Sequence, residues 1–378
     1  MIVERFPPEI GGSGMRFWKI AERLSQKHTV EIFTVGSSET YDAARGFCIH
    51  RFDSSKLPIP KLHGLNRVIG LSFSTFFRLL FRSYDIIDVD IWPILPFFSV
   101  KTAEPSTPAV ISWNVVWPFS FQRTISVAST VLARTCSKLC THNIAVSDFA
   151  KTMLLKHVRM NPEKISVIPN GNDEALSKVE LQPKWGRIIF VGRLEPQKRL
   201  DLILEAFKIF RRTTNDAELH IIGSGPLQSQ LLRASEKTRG LYLHKFIPAS
   251  SRQELISMLS ESWVFASASE FETYGMSISE ALSIGLPAVL TRAPYNGAVG
   301  EIVKHESNGL IVDHNKPKAM ADAFERLFKD RELWERLSHN ARKLAPFHSW
   351  DDVAKQVEAV YERVLSRRLP IENTELAT

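Results

Sequence analysis

The sequence predicts an α/β protein made of two Rossmann-like domains facing one another, each a parallel sheet covered by helices. Three observations lead there. Short apolar runs of about four to six residues alternate with amphipathic helical stretches along nearly the whole chain. A glycine-bearing turn follows the first apolar run of each half, at Gly11-Gly12 and at Gly192. The length, 378 residues, is that of two domains of ordinary size.

In the first half the runs rich in Val, Ile and Phe place strands at Met1–Arg5, Thr29–Thr34, Gly46–Phe52, Ile86–Val89, Ala109–Trp113, Asn143–Val146 and Lys164–Ile168. Apolar residues recurring every three or four positions place helices at Ser13–Gln26, Val68–Phe81, Pro118–Leu139 and Ser147–His157. Ser147 followed by Asp148 suits an N-cap. Pro169-Asn170-Gly171-Asn172 is a turn, and residues 173–184 have the aperiodic pattern of a linker. A second alternating series then starts. Its strands are expected at Arg187–Val191, Glu218–Ile222, Leu241–Lys245, Trp263–Ala266, Ala288–Thr291 and Gly309–Val312. Its helices are expected at Leu200–Arg212, Pro226–Glu236, Ser251–Glu261, Met276–Ile284, Lys316–Lys329 and Arg331–Ala345. A last amphipathic helix runs from Trp350 to about Arg367, and the tail from Pro370 is expected to fray. The expected division is residues 1–175, residues 185–345 and a closing helix over 350–368.

Composition narrows the function. With 44% hydrophobic and 24% charged residues, each half can bury a core. No apolar run reaches the roughly 18 residues of a spanning helix. The nearest, Ile86–Val100, carries Asp88, Asp90 and two prolines. The early Pro-Pro-Glu-Ile-Gly-Gly turn is unlike a secretory leader. Cys136 and Cys140, four apart, have no second pair to complete a zinc site; with Cys48 they read as buried thiols of a reducing cytoplasm. The net charge of +7 lies mostly in the first half: residues 1–180 hold 21 Lys and Arg against 16 Asp and Glu, the remainder 27 against 25. That excess is too small for nucleic acid, and it is compatible with an anionic membrane surface or acceptor.

The most informative stretch is Ser-Glu-Phe-Glu-Thr-Tyr-Gly-Met-Ser-Ile-Ser-Glu-Ala-Leu, which holds Glu272 and Glu280 with seven residues between them. Glu272 falls in a loop before Gly275, and Glu280 falls in the helix that Gly275 and Met276 open. The helix start between them offers unpaired N–H groups and a partial positive charge, which suits phosphate. Two carboxylates around an anion site suit a sugar nucleotide. Arg193 and Lys198 lie on the loop after the first strand of the second half. They read either as a diphosphate grip, which would also stabilise a departing nucleoside diphosphate, or as an exposed basic loop. Gly11 and Gly12 precede a helix and read either as a ligand-approaching turn or as a tight connection. Gly223-Ser224-Gly225-Pro226 lacks the third glycine of a dinucleotide fingerprint, Gln228 standing there, and reads as a nucleotide-proximal turn. Asn114 ends a strand and can bond a sugar hydroxyl or simply close the strand. The aromatics of Phe73–Arg82 read as core, with Arg78 and Arg82 on one face leaving an interfacial role open.

Taken in order, these motifs resemble the retaining family 4 glycosyltransferases of GT-B fold. The resemblance covers nearly the whole chain and is strongest over 144–313. It implies an interdomain cleft, an acceptor-side first domain and a donor-binding second domain. It implies that Arg193 and Lys198 grip the donor diphosphate, that Glu280 bonds the ribose, and that Glu272 meets the transferred sugar in a catalytic role. Gly275 and Met276 would lie by sugar and phosphate, and Gly12 by the diphosphate. The implied reaction is transfer of a hexosyl group from a UDP- or GDP-hexose to a glycan or lipid-linked hydroxyl, with no metal and no cofactor, in the cytoplasm or at the inner membrane face in polysaccharide synthesis. Two departures stand out. Asn114 occupies a position where many members have histidine, and Met1 falls inside the expected first strand, so relatives would have two to five residues more. Other readings are a nucleotide-sugar epimerase of the same fold, or a non-catalytic partner that binds sugar nucleotide or lipid.

Overall fold

The computed structural model describes all residues except 10, 37–39, 43–45, 55–64, 117–122, 245–251, 345–347 and 367–378, and only the backbone of 40–42 and 123–128. Residues 118–122 of the predicted third helix, the ends at Lys245, Ser251, Ala345 and Arg367, and the tail lie outside the described residues. The chain forms two compact units. One holds Met1–Val146, Lys151–Pro169 and the chain from Asp351; the other holds Ser147–Ala150 and Asn170–Trp350.

The first unit contains α1 (Gly12–Leu24), β1 (Glu31–Val35), β2 (Thr40–Asp42), β3 (Phe47–Phe52), α2 (Leu65–Leu79), β4 (Ile87–Asp90), α3 (Leu95–Ala103), β5 (Ala109–Trp113), α4 (Arg123–Leu139) and β6 (His142–Ala145). It shares α5 (Asp148–Met153) with the second unit and ends its sheet with β7 (Ile165–Val167). Strands β4 to β7 pair in parallel, β1 pairs in parallel with β3, and β2 is antiparallel to β3. The predicted first strand is shorter than Met1–Arg5: only Ile2 makes ladder bridges, to Phe33 and Val89. Those two bridges nevertheless join β1 to β4 across the sheet. The stretch ends early because the chain turns into Pro7-Pro8.

Helix α3 has no counterpart in the predicted elements. Its apolar residues continue the run from Ile86, so periodicity does not separate strand from helix; Pro96 sits in its first turn, where a missing N–H costs nothing. The predicted helix Ser147–His157 divides into α5 and a π-turn, Leu154–Val158, ended by Arg159 in the left-handed region. Ser147 caps it as expected, its Oγ accepting from Ala150 N–H at 3.0 Å. The last helix, Trp350–Ser366, packs with the first unit through Tyr361, whose Oη donates to Asp88 Oδ2 at 2.5 Å. All three cysteines are free; Cys136 and Cys140 are buried, which pushes both thiols up to about 12, while Cys48 is only half-buried.

The second unit begins with α6 (Glu174–Ser177), a short helix in the predicted linker, followed by β8 (Arg187–Val191), α7 (Leu200–Arg211), β9 (Glu218–Ile222), α8 (Gln228–Lys237), β10 (Leu241–His244), α9 (Arg252–Ser260) and β11 (Val264–Ser267). It continues with β12 (Phe271–Glu272), α10 (Met276–Ser283), β13 (Ala288–Arg292), β14 (Tyr295–Asn296), α11 (Ala298–Glu301), β15 (Gly309–Asp313), α12 (Pro317–Lys329) and α13 (Arg331–Leu344). Its six-stranded parallel sheet runs β10-β9-β8-β11-β13-β15. The central strands are apolar on both faces because helices cover both. Phe207, Phe210 and Phe324 from α7 and α12 pack on Trp263, whose ring stacks on Phe210 at 6.0 Å between centroids.

This strand order reverses direction between β8 and β11, and ligands of open α/β sheets bind outside the carboxyl ends of the strands at such a reversal. The loop after β8 is locked to the one after β9. Gly192 N–H donates to Ile222 O at 3.0 Å and Leu194 N–H to Ser224 O at 2.9 Å. A Cβ on Gly223 would stand 1.9 Å from the Gly192 carbonyl oxygen, and one on Gly225 would stand 2.6 Å from that of Leu194. Helix α10 is fixed from the Pro-Asn-Gly-Asn turn, because buried Asn172 donates through Nδ2 to Ser279 Oγ at 2.9 Å and Ser283 Oγ at 2.8 Å.

Gly223→Ala therefore destabilises the protein by about 2 kcal/mol or more, since no rotamer relieves a backbone clash. Gly12→Ala, at an exposed helix start, shifts stability by less than about 0.5 kcal/mol. Urea midpoints of the two variants check the contrast. Asn172→Ala removes both buried donors to α10 and costs about 1–3 kcal/mol on the same measurement.

Candidate functional site

The loops that follow β8 and β11 are stitched together at the reversal. Glu270 N–H donates to Gln197 O at 2.9 Å, and Arg199 reaches Glu270 Oε1 at 3.0 Å. Arg199 takes the left-handed region (φ 49°) at the end of a 3-10 turn over Pro196–Lys198, a conformation that starts α7 and turns its guanidinium onto Glu270 and Asp201.

Lys198 and Glu272 meet here: Nζ lies 2.5 Å from Oε2, with both side chains less than a fifth exposed. The backbone of Glu272 is held in place. It pairs with Asn296 in the β12–β14 ladder, and its carbonyl accepts from Gly297 N–H at 2.8 Å. Asn296 is buried and donates through Nδ2 to Ser269 O at 3.3 Å. Three residues on, Gly275 adopts φ 93°, left-handed, and caps α10; a Cβ there would come within 3.4 Å of Glu272 Cγ. The Glu272 side chain thus lies against the start of α10. The Met276, Ser277 and Ile278 amides open that helix without a side-chain cap.

Arg193 is half-buried and pairs with Glu195, which also takes a hydrogen bond from Gln197. Gly223 lies against the Gly192 carbonyl at the root of this loop, so close packing accounts for its identity. Glu280 sits one turn beyond the start of α10. Its Oε1 accepts from Arg252 Nη2 at 2.8 Å, and Arg252 Nε is bonded to Asp173 Oδ2 at 3.1 Å. Burial pulls the Arg252 pKa down, but Glu280 and Asp173 outweigh it, so the guanidinium stays charged above its usual range.

The remaining predicted residues belong to the first unit. Gly11 and Gly12 form the start of α1; the glycine that packing demands there is Gly14, whose Cβ would stand 2.1 Å from Arg5 O. Asn114 follows β5 and donates through Nδ2 to Asp90 Oδ1 at 3.2 Å. Asp90, buried at the end of β4, has its pKa pushed up to about 7, burial outweighing the hydrogen bonds from Asn114 and Ser13.

In the second unit, then, three predicted residues, Lys198, Glu272 and Gly275, gather at one point, and Arg193 shares the Lys198 loop. Sequence reasoning missed Arg252, Asp173, Glu195 and Asn172. Arg252 and Asp173 carry no motif, and only the Pro-Asn-Gly-Asn turn marks Asn172. Chemically, the arrangement offers two cations, a helix start and two carboxylates. Such a set has the charge and hydrogen-bonding groups that a diphosphate and sugar hydroxyls require. Among the described residues no cluster of three or more His, Cys, Asp or Glu could hold a metal ion.

Two family models match the chain in succession: "Glycosyltransferase Family 4" over residues 10–176 and "Glycosyl transferases group 1" over residues 172–344. A D-inositol 3-phosphate glycosyltransferase of Jonesia denitrificans is 30% identical over 224 residues, 54% of this chain and 52% of the relative. The match thus spans about half the length of that curated relative. An uncharacterized glycosyltransferase of Methanocaldococcus jannaschii is 25% identical over 96% of this chain and 97% of its own. Among solved structures, sucrose-phosphate synthase from Thermosynechococcus elongatus superimposes with TM-score 0.80 at 16% identity, covering 97% and 98% of the two chains. Anabaena HepE in complex with UDP and glucose gives 0.73 at 17% identity, covering 96% and 98%. With the two family models running from residue 10 to residue 344, the chain belongs to the group 1 glycosyl transferases, with a family 4 first half, and its fold is GT-B.

Proposed function

We propose that the protein is a retaining, metal-independent hexosyltransferase that moves a hexosyl group from a UDP- or GDP-hexose to a hydroxyl of a glycan or lipid-linked acceptor. The observation that carries this reading is the contact of Lys198 with Glu272 beside the start of α10, at the strand-order reversal. A cation, a carboxylate and free helix N–H groups there match a phosphate joined to a sugar. The titles of similar structures add support, since HepE was solved with UDP-glucose and a pneumococcal O-GlcNAc transferase with UDP and GlcNAc.

In this reading Arg193 and Lys198 hold the diphosphate, and the Gly275 and Met276 amides face sugar and phosphate. Glu280 bonds the ribose diol, Gly223 shapes the turn by the nucleotide, and Glu272 orients the transferred sugar. In the first, acceptor-side unit Gly11 and Gly12 form a ligand-facing turn, and Asn114 bonds a sugar hydroxyl. The bond from the anomeric carbon to the phosphate oxygen breaks as the acceptor oxygen bonds the same face. The acceptor proton passes to the departing phosphate oxygen, whose charge Arg193 and Lys198 stabilise. Lys198 has to exchange Glu272 for phosphate as donor binds, which leaves the Glu272 carboxylate available to sugar hydroxyls.

The test is release of nucleoside diphosphate from UDP-glucose, UDP-N-acetylglucosamine and GDP-mannose, with and without acceptor extracts and with EDTA present. Acceptor-dependent release that persists in EDTA supports the reading. Epimerised donor without release marks an epimerase, and binding without either marks a non-catalytic partner. Lys198→Ala lowers kcat by about 10²–10³-fold; undiminished release would sink the diphosphate assignment.

Membrane contact is part of the same proposal. Phe73, Phe77 and Phe81 are 56%, 53% and 85% exposed and recur every four residues on and just beyond α2, near Arg78 and Arg82. Exposed aromatics beside cations suit the surface of an anionic bilayer, such as the cytoplasmic face of a cell membrane. The protein co-sediments with phosphatidylglycerol vesicles and not with phosphatidylcholine vesicles, and replacing the three phenylalanines with Ser weakens that binding at least about tenfold. Equal recovery with both lipids would remove the membrane from the proposal.

A further inference from the structure

The Asn114 amide is engaged at one end only. Its Nδ2 donates to Asp90, while its Oδ1 is buried with no hydrogen-bond partner among the described residues. A buried amide oxygen without a donor is costly, so such an atom in a site calls for a ligand hydroxyl or N–H. The surroundings are those of a site. Asp90 ends β4, and Asn114 follows the neighbouring strand β5, with Asp90 opposite Ser112 in register. The stretch around Ile2 lies between β1 and β4, so the strand order of this unit also reverses beside Asp90.

Asp90 is gripped by donors. The Asn114 amide, the Ser13 hydroxyl at the start of α1 and the Trp92 backbone N–H all bond it. An ionised carboxylate can only accept hydrogen bonds, so it forces the N–H₂ end of Asn114 inward and its oxygen outward. We infer that Asp90 is a positioning residue for sugar transfer: as a carboxylate it fixes the Asn114 amide so that Oδ1 accepts a hydrogen bond from a hydroxyl of the substrate sugar. This rests on Asn114 facing substrate.

Protonation reverses the arrangement. The new Asp90 hydroxyl donates to Oδ1, and the amide turns its N–H₂ outward. Asn114 cannot titrate, but the carboxyl behind it can. Burial raises the Asp90 pKa to about 7; the Asn114, Ser13 and Trp92 hydrogen bonds oppose this, and Asp88 adds to it. The other charged and titratable groups nearby are turned toward Asp88. Ser112 and Tyr361 bond that carboxyl, and two cations act on it through their charge: the Met1 amino group, whose pKa burial lowers to about 6, and Arg16, which donates to Pro169 O at 2.7 Å. Ionised Asp90 is the form that presents Oδ1, so the sign is fixed: transfer rises with pH through about 7.

The experiment measures kcat/KM for nucleoside diphosphate release between pH 5.5 and 8.5, with whichever of UDP-glucose, UDP-N-acetylglucosamine or GDP-mannose turns over fastest. Wild type rises about tenfold across this range, the worth of one well-placed hydrogen bond. Asp90→Asn, nearly isosteric, gives a flat profile, as does Asn114→Ala. The double variant is no slower than Asn114→Ala alone, because Asp90 acts only through Asn114. Asp90→Asn keeping the wild-type rise, or losses that multiply in the double variant, overturns the inference. If Asp90→Asn does not fold, a rise that survives in Asn114→Ala overturns it equally. Full activity in Asn114→Ala removes Asn114 from the sugar as well, while the Lys198 result still judges the donor site on its own.

Discussion

The crossing of two backbones at Gly192 and Gly223 is the constraint on which the second unit depends. The loop after β8 can carry Arg193 and Lys198 to the strand-order reversal only by lying on the loop after β9. At 1.9 Å from a virtual Cβ to a carbonyl oxygen, no side chain fits between them. The Gly-Ser-Gly-Pro turn is therefore a support for the cationic loop before it is a contact for any ligand. From that support the loop reaches the β11 side, where Glu270 and Glu272 receive it. A parallel sheet makes the arrangement possible because all its strands point their carboxyl ends the same way.

Charge compensation is the second feature of the site. Arg193 is paired with Glu195, Lys198 with Glu272, and Arg252 with Glu280 and Asp173. Partly buried cations without partners would be costly, and so would the carboxylates. In the proposed reading, an incoming phosphate exchanges one anion for another at Lys198 and need not be drawn from bulk water to a bare cation. That exchange would favour a ligand that also supplies hydroxyls for the released Glu272, as the sugar of a sugar nucleotide does.

Much of the fold was legible because the parallel strands are short, apolar and bounded by turns. Arg187–Val191, Glu218–Ile222 and Ala109–Trp113 have the bounds their patterns predict. Helix α3 was hidden because its apolar residues continue the strand run before it, so nothing in the pattern marks a change of period. In the site, Lys198, Glu272 and Gly275 could be singled out from order and spacing along a strand-loop-helix frame. The partners Arg252 and Asp173 could not, because nothing local links residue 252 to residue 280. Asp90 was visible only as a charge interrupting an apolar run. Its burial and its bond to Asn114 come from two strands meeting in the sheet, a relation that pattern along one strand does not encode.

Helix α10 shows why the spacing of the two glutamates matters physically. Its start carries Gly275 and the open amides beside Glu272, and its next turn carries Glu280. Ser279 and Ser283, four apart on one stripe of the helix, are bonded by Asn172. The Asn172 backbone N–H donates to the His348 carbonyl at 2.8 Å, and Gly171 is pressed under the Trp350 ring, where a Cβ would come within 2.6 Å. Residues 171–172 and 348–350 of the second unit thus lie side by side next to α10. Four of the seven intervening residues are helical, so one carboxylate stands at the mouth of the N-terminus and the other about one turn along the helix. The serines that bury the helix and the glutamates that flank its open amides are consequences of the same helical period.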